Sequence, residues 1–120
     1  MIDDDVVVRE SVRALLEVRH YAVEEFSSGQ ALLERADGVA ADCLLLDVQM
    51  PGMNGIEVVR ALRQRGHATP VILMSGAVTH STSAQAEMLG VRLLEKPVRP
   101  AALVAAIEQA LGGGPADRSM

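Results

Sequence analysis

The sequence predicts an α/β fold, a parallel sheet whose strands alternate with helices. Three observations carry this. Short, largely apolar runs recur at Cys43–Leu46, Val71–Met74 and Val91–Leu94, as in strands buried on both faces. Stretches with apolar residues at helical spacing separate them. Each run ends in polar residues, Asp47, Ser75 or the pair Glu95-Lys96, and glycine or proline soon follows. Strand–helix alternation of this kind implies right-handed crossovers.

Taken in order, Val6 to Val18 sets Val8, Val12, Leu15 and Leu16 on one helical stripe. Ala22 to Phe26 reads as a short strand, and Ser27-Ser28-Gly29 as the cap of a helix over Gln30 to Arg35. The strand Asp42 to Asp47 follows. Gly55 opens a helix with Ile56, Val59 and Leu62 inward, ending near Gly66. Val71 to Ser75 is the next strand. A weakly patterned helix, Thr82 to Leu89, stops at Gly90, which suits a C-cap. Val91 to Glu95 is the last strand, and a helix from Pro100 to Leu111 closes the unit; proline fits its first turn because the missing amide hydrogen costs nothing there.

At 120 residues the chain holds one domain with a single core. Hydrophobic residues make up 49%, yet Tyr21 and Phe26 are the only aromatic ones, so aliphatic side chains must build the interior. A net charge of −5 without a Lys/Arg cluster gives no electrostatic footprint for nucleic acid. The single cysteine, Cys43, excludes an internal disulfide, fits a reducing cytoplasm and reads as a small core residue. No apolar stretch is long enough for a membrane span, and no signal-peptide pattern is present.

The chemistry-bearing residues come in a fixed sequence. Asp3-Asp4-Asp5 follows Met1-Ile2, Asp47 ends a strand before Met50-Pro51-Gly52, Ser75 ends the next, and Lys96-Pro97 ends the last. Alone, each has a plain structural reading: acids favour a helix N-terminus, a strand-end Asp or Ser can cap a turn, and a Lys can simply be solvated. All four in register resemble the receiver domain of two-component response regulators, from Ile2 to about Leu111.

That resemblance implies a flavodoxin-like, doubly wound sheet of five parallel strands, ordered 2-1-3-4-5. It makes residues 1–111 the receiver and 112–120, beginning Gly112-Gly113-Gly114-Pro115, a linker or disordered tail. Asp47 matches the phosphoacceptor, charged by a sensor histidine kinase. Mg²⁺ is the implied cofactor, held by Asp4 directly, Asp3 through water, Asp47, and the Gln49 backbone carbonyl. Ser75 and Lys96 match the phosphoryl-contacting hydroxyl and ammonium, and Pro97 the proline that follows through a cis bond. The chain is then a switch and not an enzyme in the usual sense. Its likeness to transcription-type regulators implies a DNA-binding output domain outside this segment; a homodimer is compatible with the same reading.

Two departures stand out. Receivers carry an apolar first strand ahead of the acid pair, where this chain has only Met1-Ile2, so a truncated first strand is expected. At the switch position, three residues before the lysine and usually Tyr or Phe, stands Leu93. An aliphatic side chain can repack but brings no ring or hydroxyl. His20, His67 and His80 are read as ordinary surface residues.

Three other functions compete. A haloacid-dehalogenase-type phosphohydrolase also uses a strand-end Asp, but needs a second Asp two residues on, where Gln49 stands, and a cap domain. A flavodoxin-like cofactor binder needs a Gly/Ser/Thr-rich phosphate loop after its first strand, which is lacking. A receiver-shaped module that is never phosphorylated would not need the complete set of acids.

Overall fold

The structure is a computed structural model, and it describes residues 6–22, 26, 28–35, 42–49 and 52–111. Five helices and three strands follow along these residues, alternating from the second helix onward: α1 (Val6–Val18), α2 (Gly29–Arg35), β1 (Leu44–Asp47), α3 (Gly55–Gln64), β2 (Val71–Ser75), α4 (His80–Leu89), β3 (Arg92–Glu95) and α5 (Pro100–Ala110). The strands are parallel and ordered β1-β2-β3, with Leu46 opposite Leu73 and Leu73 opposite Leu93. These are the expected third, fourth and fifth strands in the expected succession. The expected first strand at Met1-Ile2, residues 23–25 of the second and the tail 112–120 lie outside the described residues, so the described strands show a three-stranded parallel sheet and leave the order 2-1-3-4-5 an expectation.

Side chains alternate across a strand, and the core divides accordingly. Leu44, Leu46, Val71 and Leu73 join one buried cluster with Leu32 and Leu33 of α2, Ile56, Val58, Val59 and Leu62 of α3, and Ala86 of α4. Leu45, Ile72 and Met74 join the other, with Val12 and Leu16 of α1 and Leu103, Ala106 and Ile107 of α5. β1 and β2 are therefore buried along their whole length, as continuous apolar runs require. β3 pairs on one side only among the described strands, and its Arg92 and Glu95 are exposed. Each fully buried leucine contributes about 1.5–3 kcal/mol, so the sheet centre, where Leu46 and Leu73 are 0% exposed, anchors the fold.

Several boundaries differ from the sequence expectation for local reasons. α4 begins at His80, two residues early, because the Thr79 hydroxyl accepts the Thr82 amide at 3.1 Å and caps the helix. It ends as expected at Gly90, whose φ of 69° is left-handed. β1 starts at Leu44 and not Asp42, and α5 stops at Ala110 with Leu111 as its cap. α2 includes Gly29, with the Ser28 hydroxyl accepting the Ala31 amide.

α3 has the firmest start. Asn54 Oδ1 accepts the Glu57 amide and Glu57 Oε1 accepts the Asn54 amide, both at 2.9 Å, a reciprocal capping box. At its far end Arg65 donates to the Leu33 carbonyl of α2 at 2.7 Å. Arg63 donates to the carbonyls of His67 and Thr69, holding the approach to β2. Asn54→Ala removes the Oδ1 that accepts the Glu57 amide, leaves the backbone amide that donates to Glu57 Oε1, and should cost about 1 kcal/mol, visible as a lower urea midpoint with an unchanged slope.

Candidate functional site

The site forms because three parallel strands end together. Asp47 closes β1, Ser75 closes β2, and Lys96 follows Glu95, the last residue of β3. Asp47 lies opposite Met74, and Ser75 opposite Glu95. The Lys96 amide donates to the Ser75 carbonyl at 2.7 Å, carrying the β2–β3 ladder one residue further. From there the Lys96 side chain spans the end of β2, and Nζ donates to Asp47 Oδ2 at 2.7 Å. The peptide bond from Lys96 to Pro97 is cis.

Asp47 is 2% exposed, and a carboxylate so buried needs partners for its charge. Lys96 supplies the opposite charge. Gln49 supplies a backbone amide, donating to Asp47 Oδ1 at 3.0 Å. Val48, the residue after Asp47, is fixed from two sides: its amide donates to the Met74 carbonyl, and its carbonyl accepts from Gly55, the first residue of α3. Gly55 is glycine for room, since a Cβ there would lie 2.6 Å from the Asp47 backbone oxygen.

Ser75 is 0% exposed. Its hydroxyl donates to Gln49 Oε1 at 2.9 Å and accepts the Ala77 amide at 3.1 Å. The Gly76 amide donates to the same Gln49 Oε1 at 3.3 Å. Carboxylate, ammonium, hydroxyl and amide donors thus meet at the carboxyl end of the sheet, the edge where open α/β sheets take their ligands.

Of the residues singled out from sequence, Asp47, Gln49, Ser75 and Lys96 come together here. Leu93 sits in the middle of β3, partly buried against the cluster that contains Leu73. Asp3 and Asp4 lie outside the described residues, as do Met50 and Pro51. Among the described residues no group of three or more His, Cys, Asp or Glu is placed to hold a metal ion. Cys43 precedes β1, where burial pushes its thiol up to about 11, in keeping with a packing role. The sequence reading gave Gln49 a role through its backbone only. Its side chain also takes part, accepting from Ser75 and Gly76 while its backbone amide donates to Asp47, and the signal was a long carboxamide two residues after a strand-end Asp.

A family model for the response regulator receiver domain matches residues 1–108. The chain belongs to that family. It is 39% identical over 113 residues to the transcriptional regulatory protein FixJ of Azorhizobium caulinodans, covering 93% of this chain and 54% of that protein. To the response regulator protein TodT of Pseudomonas putida it is 37% identical over 120 residues, 99% of this chain and 53% of the relative. The receiver thus spans about half the length of these curated relatives. Among solved structures, the chemotaxis protein CheY4 of Vibrio cholerae superposes with a TM-score of 0.82 at 27% identity, covering 92% of this chain and 94% of that one. The chain is therefore a receiver domain of two-component response regulators with the receiver fold, and its relatives include transcriptional regulators.

Proposed function

We propose that this receiver accepts a phosphoryl group on Asp47 from the phosphohistidine of a partner kinase. The observation that carries the reading is the buried Asp47 carboxylate held at 2.7 Å by the Lys96 ammonium, at the carboxyl end of the parallel strands. An Asp47 carboxylate oxygen attacks phosphorus, the new carboxyl O–P bond forms, the P–N bond breaks, and the histidine imidazole leaves with its electron pair. The obstacle is repulsion between two anions. Lys96 offsets part of it as a point charge directed at Oδ2. Ser75 Oγ and the Gly76 amide are donors suited to phosphoryl oxygens, on which charge develops during transfer.

Mg²⁺ fits the donor chemistry, because the Asp47 carboxylate and the Gln49 peptide carbonyl are hard oxygen ligands. Asp4 would bind it directly and Asp3 through water. When bound, the cation supplies the remaining neutralisation of carboxylate and phosphoryl charge. In an NMR titration with Mg²⁺, amides around Asp3, Asp4, Asp47 and Gln49 should shift first and saturate together. Shifts confined to the opposite end of the sheet would remove this assignment.

On this reading residues 1–111 are the switch and 112–120 a linker toward a DNA-binding output domain, in a cytoplasmic regulator that pairs with itself or a partner on its switched face. Among the described residues no helix is long and apolar enough to cross a membrane. Switching alters a two-state packing. Leu93, partly buried in the strand beside the one that Ser75 ends, repacks on this reading when Ser75 engages a phosphoryl oxygen. Structures with and without beryllofluoride should show Leu93 moving inward; a Leu93 that stays put while Ser75 is engaged would route the signal elsewhere.

A further inference from the structure

Two donors at the end of β2, the Ser75 hydroxyl and the Gly76 amide, converge on one oxygen, Gln49 Oε1, at 2.9 and 3.3 Å. Gln49 is itself exposed, whereas Ser75 is wholly buried beneath its neighbours. The backbone amide of the same glutamine donates to Asp47 Oδ1. The carboxamide oxygen is therefore a neutral acceptor, tethered two residues from Asp47, and it occupies the donors that an oxygen of an Asp47-bound phosphoryl group would need.

We propose that the Gln49 side chain is a built-in plug that occupies the phosphoryl-oxygen position of the unphosphorylated receiver and must swing out for the phosphorylated state to form. The inference rests on Asp47 being the phosphoacceptor. A tethered acceptor holds these donors at high effective concentration, so the incoming oxygen gains only the difference between two acceptors. The same contact gives the Ser75 O–H an acceptor in the resting state, where a buried donor left unsatisfied would be costly. Opening needs no backbone change, because Gln49 is an exposed residue and rotation about its side-chain bonds can turn the carboxamide into water. The plug thus tunes how readily the receiver is charged without touching the reacting carboxylate.

Substitutions at position 49 keep the backbone amide and carbonyl, so they isolate the carboxamide. The experiment is a beryllofluoride titration of the chain in Mg²⁺, followed by NMR, on wild type, Gln49→Ala, Gln49→Met and Gln49→Glu. Ala and Met should both bind about 3- to 10-fold more tightly, the factor set by one net hydrogen bond. Met is nearly as long as Gln, so agreement between the two separates loss of the acceptor from loss of bulk. Glu keeps the acceptor and adds a charge, and should bind more weakly than wild type. Equal or weaker binding by Ala and Met, with wild type binding normally, overturns the plug while leaving Asp47 as acceptor. Failure of beryllofluoride to bind any of the four folded proteins overturns the Asp47 reading, and the plug with it.

Discussion

An Asp47→Asn protein is expected to take no phosphoryl group from acetyl phosphate in Mg²⁺, whereas the unchanged chain gains one. Mass spectrometry reads the added group directly, and hydroxylamine should remove it, as it does an acyl phosphate. The amide lacks the anionic oxygen that attacks phosphorus, so labelling should fall below detection and not merely slow. The fold should survive for identifiable reasons. Asn Oδ1 can still accept the Gln49 amide that Asp47 Oδ1 accepts at 3.0 Å. The partner left behind, Lys96, has a side chain 21% exposed and can carry its ammonium to water, which a sealed ion pair could not. Labelling of the Asn protein at the wild-type level would mean that another residue is the acceptor.

Gly55→Ala should be damaging out of proportion to the single methyl it adds. An ideal Cβ at Gly55 meets the Asp47 carbonyl oxygen at 2.6 Å, its carbon at 3.1 Å and Leu73 Cδ2 at 3.1 Å. Two of these atoms are backbone in the strand that presents the carboxylate, so they cannot step aside as a side-chain tip can. Overpacking of this kind costs about 1–3 kcal/mol, and here the strain falls on the peptide that aims Asp47. Misplacement by about 1 Å can slow a reaction of positioned groups some 100-fold. The variant should therefore lose stability in urea and also charge slowly at temperatures where it is fully folded. Gly76→Ala is the control: nothing lies within 4 Å of a Cβ there, and stability should hold within about 0.5 kcal/mol. A Gly55→Ala protein as stable and as quickly charged as wild type would show that α3 and β1 can move apart freely.

Much of this was legible in the sequence because buried parallel strands are written as unbroken apolar runs. Leu44–Leu46 and Val71–Met74 could be read as strands, and the polar residue ending each pointed to the sheet edge. The third strand was harder, since Arg92 interrupts it; its exposure along β3 is the reason that interruption is tolerated. The start of α4 was missed because its signal is a single threonine, Thr79, in a stretch already rich in hydroxyls. The ordering of Asp47, Ser75 and Lys96 along the chain anticipated their meeting, as parallel strands of one sheet all end on one edge. The Gln49 carboxamide was not anticipated, because where a flexible side chain settles depends on donors 26 residues away in sequence.

The division of the core into two clusters has a consequence for how the sequence can drift. Neighbouring residues of β2 belong to different interiors, Val71 and Leu73 to one, Ile72 and Met74 to the other. The backbone of the sheet stands between them as a partition. A volume change in the α1–α5 compartment is compensated most readily by another in that compartment, so substitutions should couple within a side and add across the sheet. Each half of the interior can be rewritten over evolutionary time without disturbing its counterpart. The constraint common to both is the pair of strands that separates them, which places the slowest change on β1 and β2 and on the polar residues at their ends.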